Sequence, residues 1–202
     1  KEAEFFAAAG FKDILYAVSI VPNKLSRLKN IENKYNCKII CILDSLEIAK
    51  KLMSFSKLNN FKLNVLIEID CGEGRTGLKF DSNIIYEISR ILKKEPLIDL
   101  LGVLTHAGHS YSSNKTTIIS KIAGEEKRHA LHAKKIIEEV TDCSIISIGS
   151  TPTLLSSHSL NGITEIRAGI YMFWDLAQAS RGICNIEDIA VTVLSTVISH
   201  NH

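Results

Sequence analysis

The sequence predicts an α/β protein: a (β/α)8 TIM-type barrel lacking its first two strands, followed by the opening strand of a C-terminal β domain. Three observations carry that expectation. Six continuous apolar runs alternate with helix-period stretches, the pattern of parallel strands buried on both faces. Two late segments, Ile148-Gly-Ser-Thr-Pro-Thr153 and Thr164-Glu-Ile-Arg-Ala-Gly-Ile-Tyr171, end such runs in small, hydroxylated and glycine residues. Such residues can wrap a phosphate with backbone N–H groups and a hydroxyl where barrel strands feed helices. Finally, Asp188-Ile-Ala-Val-Thr-Val-Leu-Ser-Thr-Val-Ile198 is a long β-branched run with no helix linking it back to a barrel.

The elements follow in order. A helix from Glu2 to Ala9 stops at Gly10, as glycine stops helices by accepting a left-handed conformation. Ile14–Val18 is a short apolar strand, and Leu25, Leu28 and Ile31 repeat at helical spacing. Lys38–Leu43 is the second strand, after which Asp44 or Ser45 caps a helix carrying Leu46, Ile48, Ala49 and Leu52. Leu63–Ile69 and Leu101–Thr105 are the third and fourth strands, separated by a helix bearing Ile84, Ile85, Ile88, Ile91 and Leu92. A long helix runs from about Thr116 to Val140, and Ser144–Ile148 and Ile163–Ile166 complete the set. Six strands are two short of a closed barrel. The division expected is a partial barrel over residues 1–187 and the start of a β domain over 188–202. An open, doubly wound six-stranded sheet is the alternative.

Bulk properties exclude more than they identify. The chain has 202 residues and a formal charge of +2, with no basic stripe interleaved with aromatics, so nucleic acid and membrane surfaces are not indicated as partners. Five cysteines without paired short spacing argue against a disulfide framework and for a reducing compartment, and hence for the cytoplasm. No apolar stretch reaches membrane-spanning length. The run Glu125-Glu-Lys-Arg128 reads as a solvated helix face, and His129 and His132 beside it read as solvent-facing.

With these motifs in view, the chain resembles the D-threonine aldolase and D-serine dehydratase family, whose barrel is similar to the alanine racemase N-terminal domain. The likeness is strongest at Glu2–Glu4, Ala8–Gly10, Asp13–Ala17, Asp70–Gly77, Gly102–Tyr111, Gly149–Thr153 and Glu165–Tyr171. It implies a pyridoxal-phosphate enzyme with a (β/α)8 barrel, a C-terminal β domain and a homodimeric state. It also implies a Schiff-base lysine on the first barrel strand, upstream of Lys1, and a divalent metal held by the second domain. Neither group is then expected within this chain, which is expected to be inactive alone.

Several residues are candidates for the site. Ser150 and Thr151 offer backbone N–H groups and a hydroxyl to a phosphate; a plain turn stiffened by Pro152 is the competing reading. In the family the backbone at Gly169, Ile170 and Tyr171 completes the phosphate cup. Arg75 follows two glycines that let its loop turn back over the strand ends. The resemblance gives it a hydrogen bond to the cofactor's phenolic oxygen, while a salt bridge to Glu73 or Asp70 is the alternative. Arg167 matches an arginine that faces the pyridine nitrogen in alanine racemase-like barrels; pairing with Glu165 or another carboxylate is nearly as good a reading. His106, in Thr-His-Ala-Gly-His-Ser-Tyr111, takes a position near the cofactor ring in the family, where tyrosine is more usual, and is the candidate catalytic side chain. His106 and His109 alone make a weak metal site. Phe173 and Trp174 are expected to pack the barrel rim.

The function this implies is a pyridoxal-phosphate-dependent lyase acting on small β-hydroxy-D-amino acids, by retro-aldol cleavage to glycine and an aldehyde. Elimination of water, as in a D-serine dehydratase, is the alternative. A non-catalytic pyridoxal-phosphate-binding barrel would end before the Ile189–Ile198 run, and a sugar-phosphate isomerase would need a stronger base than His106 alone. The alanine racemase motif Arg-x-Gly-x-x-Leu-Tyr-Gly is not reproduced by Arg167–Phe173.

Overall fold

A computed structural model describes residues 1–200. Seven strands form one sheet: β1 (Asp13–Ser19), β2 (Lys38–Leu43), β3 (Leu63–Asp70), β4 (Leu78–Lys79), β5 (Ile98–Thr105), β6 (Ile145–Ile148) and β7 (Glu165–Ile166). The order is β1-β2-β3-β5-β6-β7, with β4 adding one short pairing to the end of β3, and every ladder is parallel. The helices between them are α1 (Glu2–Ala8), α2 (Leu25–Tyr35), α3 (Leu46–Asn59), α4 (Asn83–Leu92), α5 (Thr116–Glu138), α6 (Thr151–Leu155) and α7 (Leu176–Ala179).

Which face the helices cover separates a barrel from a doubly wound sheet. The main core joins Leu28 of α2, Leu52 of α3, Ile88 of α4 and Ala133 of α5 to strand residues such as Cys41, Val65, Val103 and Ile146. Residues of the opposite pleat, Ile40, Ile42, Leu66 and Leu104, form a separate cluster with Leu15, Leu101 and Ile145, and no helical residue joins it. Helices therefore pack on one face, and strand side chains alone line the other. That is a half-barrel with its interior layer in place, and the doubly wound alternative is set aside.

Local chemistry explains the element ends. Ser45, rather than Asp44, caps α3 by accepting the Ile48 N–H at 3.3 Å, while Asp44 accepts the Gly77 N–H at 3.2 Å. Asn36 and Asn60 close α2 and α3 in the left-handed conformation. β5 begins three residues earlier than its apolar run suggested, because Asp99 interrupts the pattern without interrupting the ladder to Asn64.

The run from Asp188 to Ile198 does not join the sheet. Asp188 ends a short 3-10 turn, and the rest pairs with no strand among the described residues, leaving Val193, Leu194 and Ile198 almost wholly exposed. β-propensity reflects a fit to a pleated neighbour, and none is present here to express it. Residues 201–202, the end of the segment assigned to a second domain, lie outside the described residues.

Candidate phosphate and cofactor site

The site grows from the C-terminal ends of the strands. Alternation places Glu68 beyond Leu66 on the interior face, His106 beyond Leu104, and Ser147 beyond Ile145. The interior thus changes from apolar to polar toward the strand ends. Glu68 is buried and accepts hydrogen bonds from Ser19 Oγ at 2.7 Å and Thr76 Oγ1 at 2.8 Å, which ties the edge strand β1 to the loop after β3.

Arg167 follows β7 and reaches across the interior. Its guanidinium donates to Ser147 Oγ and to the Thr105 carbonyl, and Ser147 Oγ donates in turn to Glu165. The arginine therefore meets Glu165 through a hydroxyl rather than by a direct ion pair. Burial pulls its pKa below the usual arginine value, and the carboxylates of Glu126, Glu165 and Glu68 oppose that shift.

The structure brings the two glycine-rich segments together. Ile148 pairs with Ile166, and the Arg167 N–H donates to the Ile148 carbonyl at 2.9 Å. A Cβ on Gly149 would stand 2.3 Å from the Arg167 carbonyl oxygen, so only glycine permits this approach. Ser150 caps α6, accepting the Thr153 N–H at 3.3 Å. Thr151 is 1 % exposed, yet its Oγ1 has no hydrogen-bond partner. Buried hydroxyls are nearly always paired, and the chain itself offers this one no partner. Gly169, Ile170 and Tyr171 continue from Arg167 into a 3-10 turn; there is open space around Gly169, and Tyr171 is exposed.

The remaining candidates are placed less centrally. Arg75 is 59 % exposed, with its guanidinium 3.7 Å from Glu73 Oε1. Asp70 Oδ1 shapes that loop by accepting the N–H groups of Gly72 at 2.9 Å and Gly74 at 3.1 Å. His106 is half-buried at the end of β5, and its carbonyl accepts from the Cys71 thiol at 3.3 Å. His109 packs against Gly72, and the Tyr111 carbonyl accepts from Arg181. Phe173 is exposed rather than packed on the rim, while Trp174 is half-buried. Among the described residues, no group of three His, Cys, Asp or Glu side chains could hold a metal ion, and no helix is long and apolar enough to cross a membrane.

Sequence reasoning missed Glu68 and misread Glu126 and His129. Glu126 was placed on a solvated face but is 0 % exposed, accepting from Thr105 Oγ1, Gly149 N–H and Thr153 Oγ1. The signal was present: Glu126 lies on the buried stripe of Ile119, Ile122, Ala123, Ala130, Ala133 and Ile137. Glu68 was legible in the same way, as a lone carboxylate in an apolar strand. His129 is not solvent-facing either, since its ring stacks on Phe80 with centroids 3.9 Å apart and planes 4° from parallel.

Known proteins share much of this chain's sequence and fold. The family model described as "Alanine racemase, N-terminal domain" matches residues 1–177. The D-threo-3-hydroxyaspartate dehydratase of Delftia sp. (strain HT23) is 38% identical over 202 residues, covering 99% of this chain and 53% of that protein. Its solved structure superposes with a TM-score of 0.94 over 99% of this chain. The D-serine dehydratase of Dictyostelium discoideum is 32% identical over 213 residues, covering 98% of this chain and 53% of its own length. The 3-hydroxy-D-aspartate aldolase of Paracoccus denitrificans (strain Pd 1222) is 26% identical over 213 residues, with 98% and 53% coverage. The chain thus spans about half the length of the curated relatives it matches.

Proposed function

The chain belongs to the alanine racemase N-terminal-domain family, and from that premise we propose that it supplies the phosphate-binding side of a pyridoxal-phosphate-dependent lyase acting on β-hydroxy-D-amino acids. The observation that carries the reading is the paired turn: Gly149–Thr153 against Arg167–Tyr171, with the buried, unpartnered Thr151 hydroxyl inside it. This fits a phosphate, which takes hydroxyl and backbone N–H donors and needs a glycine where the chain must come close.

The backbone of the two turns and Thr151 would hold the phosphate, with Arg167 and His106 toward the ring and Arg75 at the loop edge. When bound, the cofactor supplies an electron sink for bonds at the substrate α-carbon. What the protein's own groups do is position and shield. Ser147 and the Thr105 carbonyl fix the Arg167 fork, so a permanent cation stands on the interior face without freedom to swing. The carboxylates of Glu126, Glu165 and Glu68, the last held by Ser19 and Thr76, balance that charge.

Between the two reactions, we favour elimination of water over the retro-aldol cleavage expected from the sequence. The relatives at 38% and 32% identity are named dehydratases, and an aldolase enters at 26%. Product analysis with D-serine and a 3-hydroxy-D-aspartate, on a longer protein that contains this chain and carries the Schiff-base lysine, tests this. Ammonia and a 2-oxo acid would support elimination; glycine and an aldehyde would establish the second reading; neither, in protein shown to bind the cofactor, would remove the lyase assignment.

A further inference from the structure

We propose that the buried carboxylate of Glu126 is a positioning residue that sets the proton direction of the Ser150 and Thr153 hydroxyls in the Gly149–Thr153 turn, so that Thr151, not Ser150, is the hydroxyl offered to a phosphate. The ligand in this inference rests on the pyridoxal-phosphate reading above; the proton ordering rests on the hydrogen bonds alone.

Three donors converge on the two oxygens of Glu126: Thr105 Oγ1 at 3.0 Å, the Gly149 N–H at 3.1 Å and Thr153 Oγ1 at 2.8 Å. A carboxylate only accepts, so it takes all three. The Thr153 proton has a second acceptor, the Ser150 carbonyl at 3.2 Å, and the nearer charged oxygen wins it. Thr153 Oγ1 must then accept in its 2.8 Å contact with Ser150 Oγ, which spends the Ser150 proton. Ser150 Oγ in turn accepts from Ser110 Oγ at 3.0 Å and from the Thr153 N–H at 3.3 Å. The relay Ser110→Ser150→Thr153→Glu126 leaves Ser150 with no proton for an incoming anion. Thr151 Oγ1 stands outside the relay with its proton uncommitted. A glutamine at position 126 would put an N–H donor against either Thr153 or the Gly149 and Thr105 donors, and the order would be lost.

The test compares binding of pyridoxal 5′-phosphate with that of pyridoxal, followed through the single tryptophan, Trp174; the affinity ratio isolates the phosphate contribution. Thr151→Val should reduce that ratio about tenfold or more, the loss of a charge-assisted hydrogen bond, while leaving pyridoxal affinity unchanged; Glu126→Gln, which releases the Ser150 proton from the relay, should make the ratio sensitive to a second change, Ser150→Ala. Ser150→Ala should change the ratio less than about threefold, because its hydroxyl makes no phosphate contact. Should Glu126→Gln fail to fold, Thr153→Val, which removes the acceptor of the Ser150 proton, should likewise make the ratio sensitive to Ser150→Ala, and Thr153→Ser should restore the insensitivity, which a packing role for the threonine methyl would not do. A ratio lost in Ser150→Ala and kept in Thr151→Val would overturn the inference, as would a ratio that stays insensitive to Ser150→Ala in both the Glu126→Gln and the Thr153→Val backgrounds. If the wild-type protein does not distinguish the two ligands, the pyridoxal-phosphate reading falls first and the inference with it.

Discussion

Gly102 sits on β5 at φ +152°, where an added Cβ would stand 1.9 Å from the Ile145 carbonyl oxygen. Backbone on both sides of that contact belongs to paired strands, so neither can yield cheaply. Gly102→Ala should destabilise the fold by about 3 kcal/mol or more in denaturant unfolding; a loss under about 1 kcal/mol would show that the β5–β6 contact is slack. His129 governs a pH effect. Burial against Phe80, with Arg128 beside it, lowers its pKa below the ordinary 6.5, outweighing Glu125 and Asp70. The unfolded chain then binds the proton more readily than the folded one, so this contribution is complete above pH 6.5 and fades as pH falls below it. Unfolding midpoints measured from pH 8 to pH 5 (about the window of a histidine switch) should fall more steeply for the wild type than for His129→Phe.

At the scale of elements, α5 does two jobs. Its Ala130, Ala133 and Ile137 pack on the sheet, and its Glu126 ties the end of β5 to the β6–α6 turn. A helix can do both because residues three, four and seven apart share one face. α4 has a single job, and its buried face shows it: Ile85, Ile88 and Leu92 are fully covered. Ile88→Ala should cost about 3 kcal/mol of stability by leaving a cavity, without altering the pyridoxal 5′-phosphate to pyridoxal affinity ratio. A change in that ratio would mean that α4 reaches the site through contacts not evident here.

At the largest scale, the half-barrel leaves β1 paired on one side only among the described residues. Beside it lies a groove of about 610 Å³ lined by Phe6, Ile14, Tyr16, Val18 and Leu28 among others. An unpaired strand with apolar side chains is a template for association, and a charge on such an edge blunts it. Sedimentation of this chain should show concentration-dependent association that Val18→Lys reduces, whereas equal behaviour of the two would assign the association elsewhere.

The order of six strands, the helices between them and the glycine-rich turns were written in local patterns: apolar runs, helical spacing, and Gly-Ser-Thr-Pro-Thr ahead of Glu-Ile-Arg-x-Gly-x-Tyr. Those are properties of neighbouring residues, and sequence carries them directly. Which pleat faces the helices was not local, because a strand such as β2 is apolar on both sides, with Ile39, Cys41 and Leu43 on one pleat and Ile40 and Ile42 on the other, and only the separate Ile40–Leu66–Leu104 cluster showed the second face to be a barrel interior. The short β4 pairing, the stacking of His129 and the bridging of Arg167 to Glu165 through Ser147 were likewise decided by contacts between distant segments. Glu126 shows the division most plainly. Its spacing put it on the buried stripe, but a charge on that stripe is tolerable only because Thr105, Gly149 and Thr153, from two other elements, arrive to donate to it.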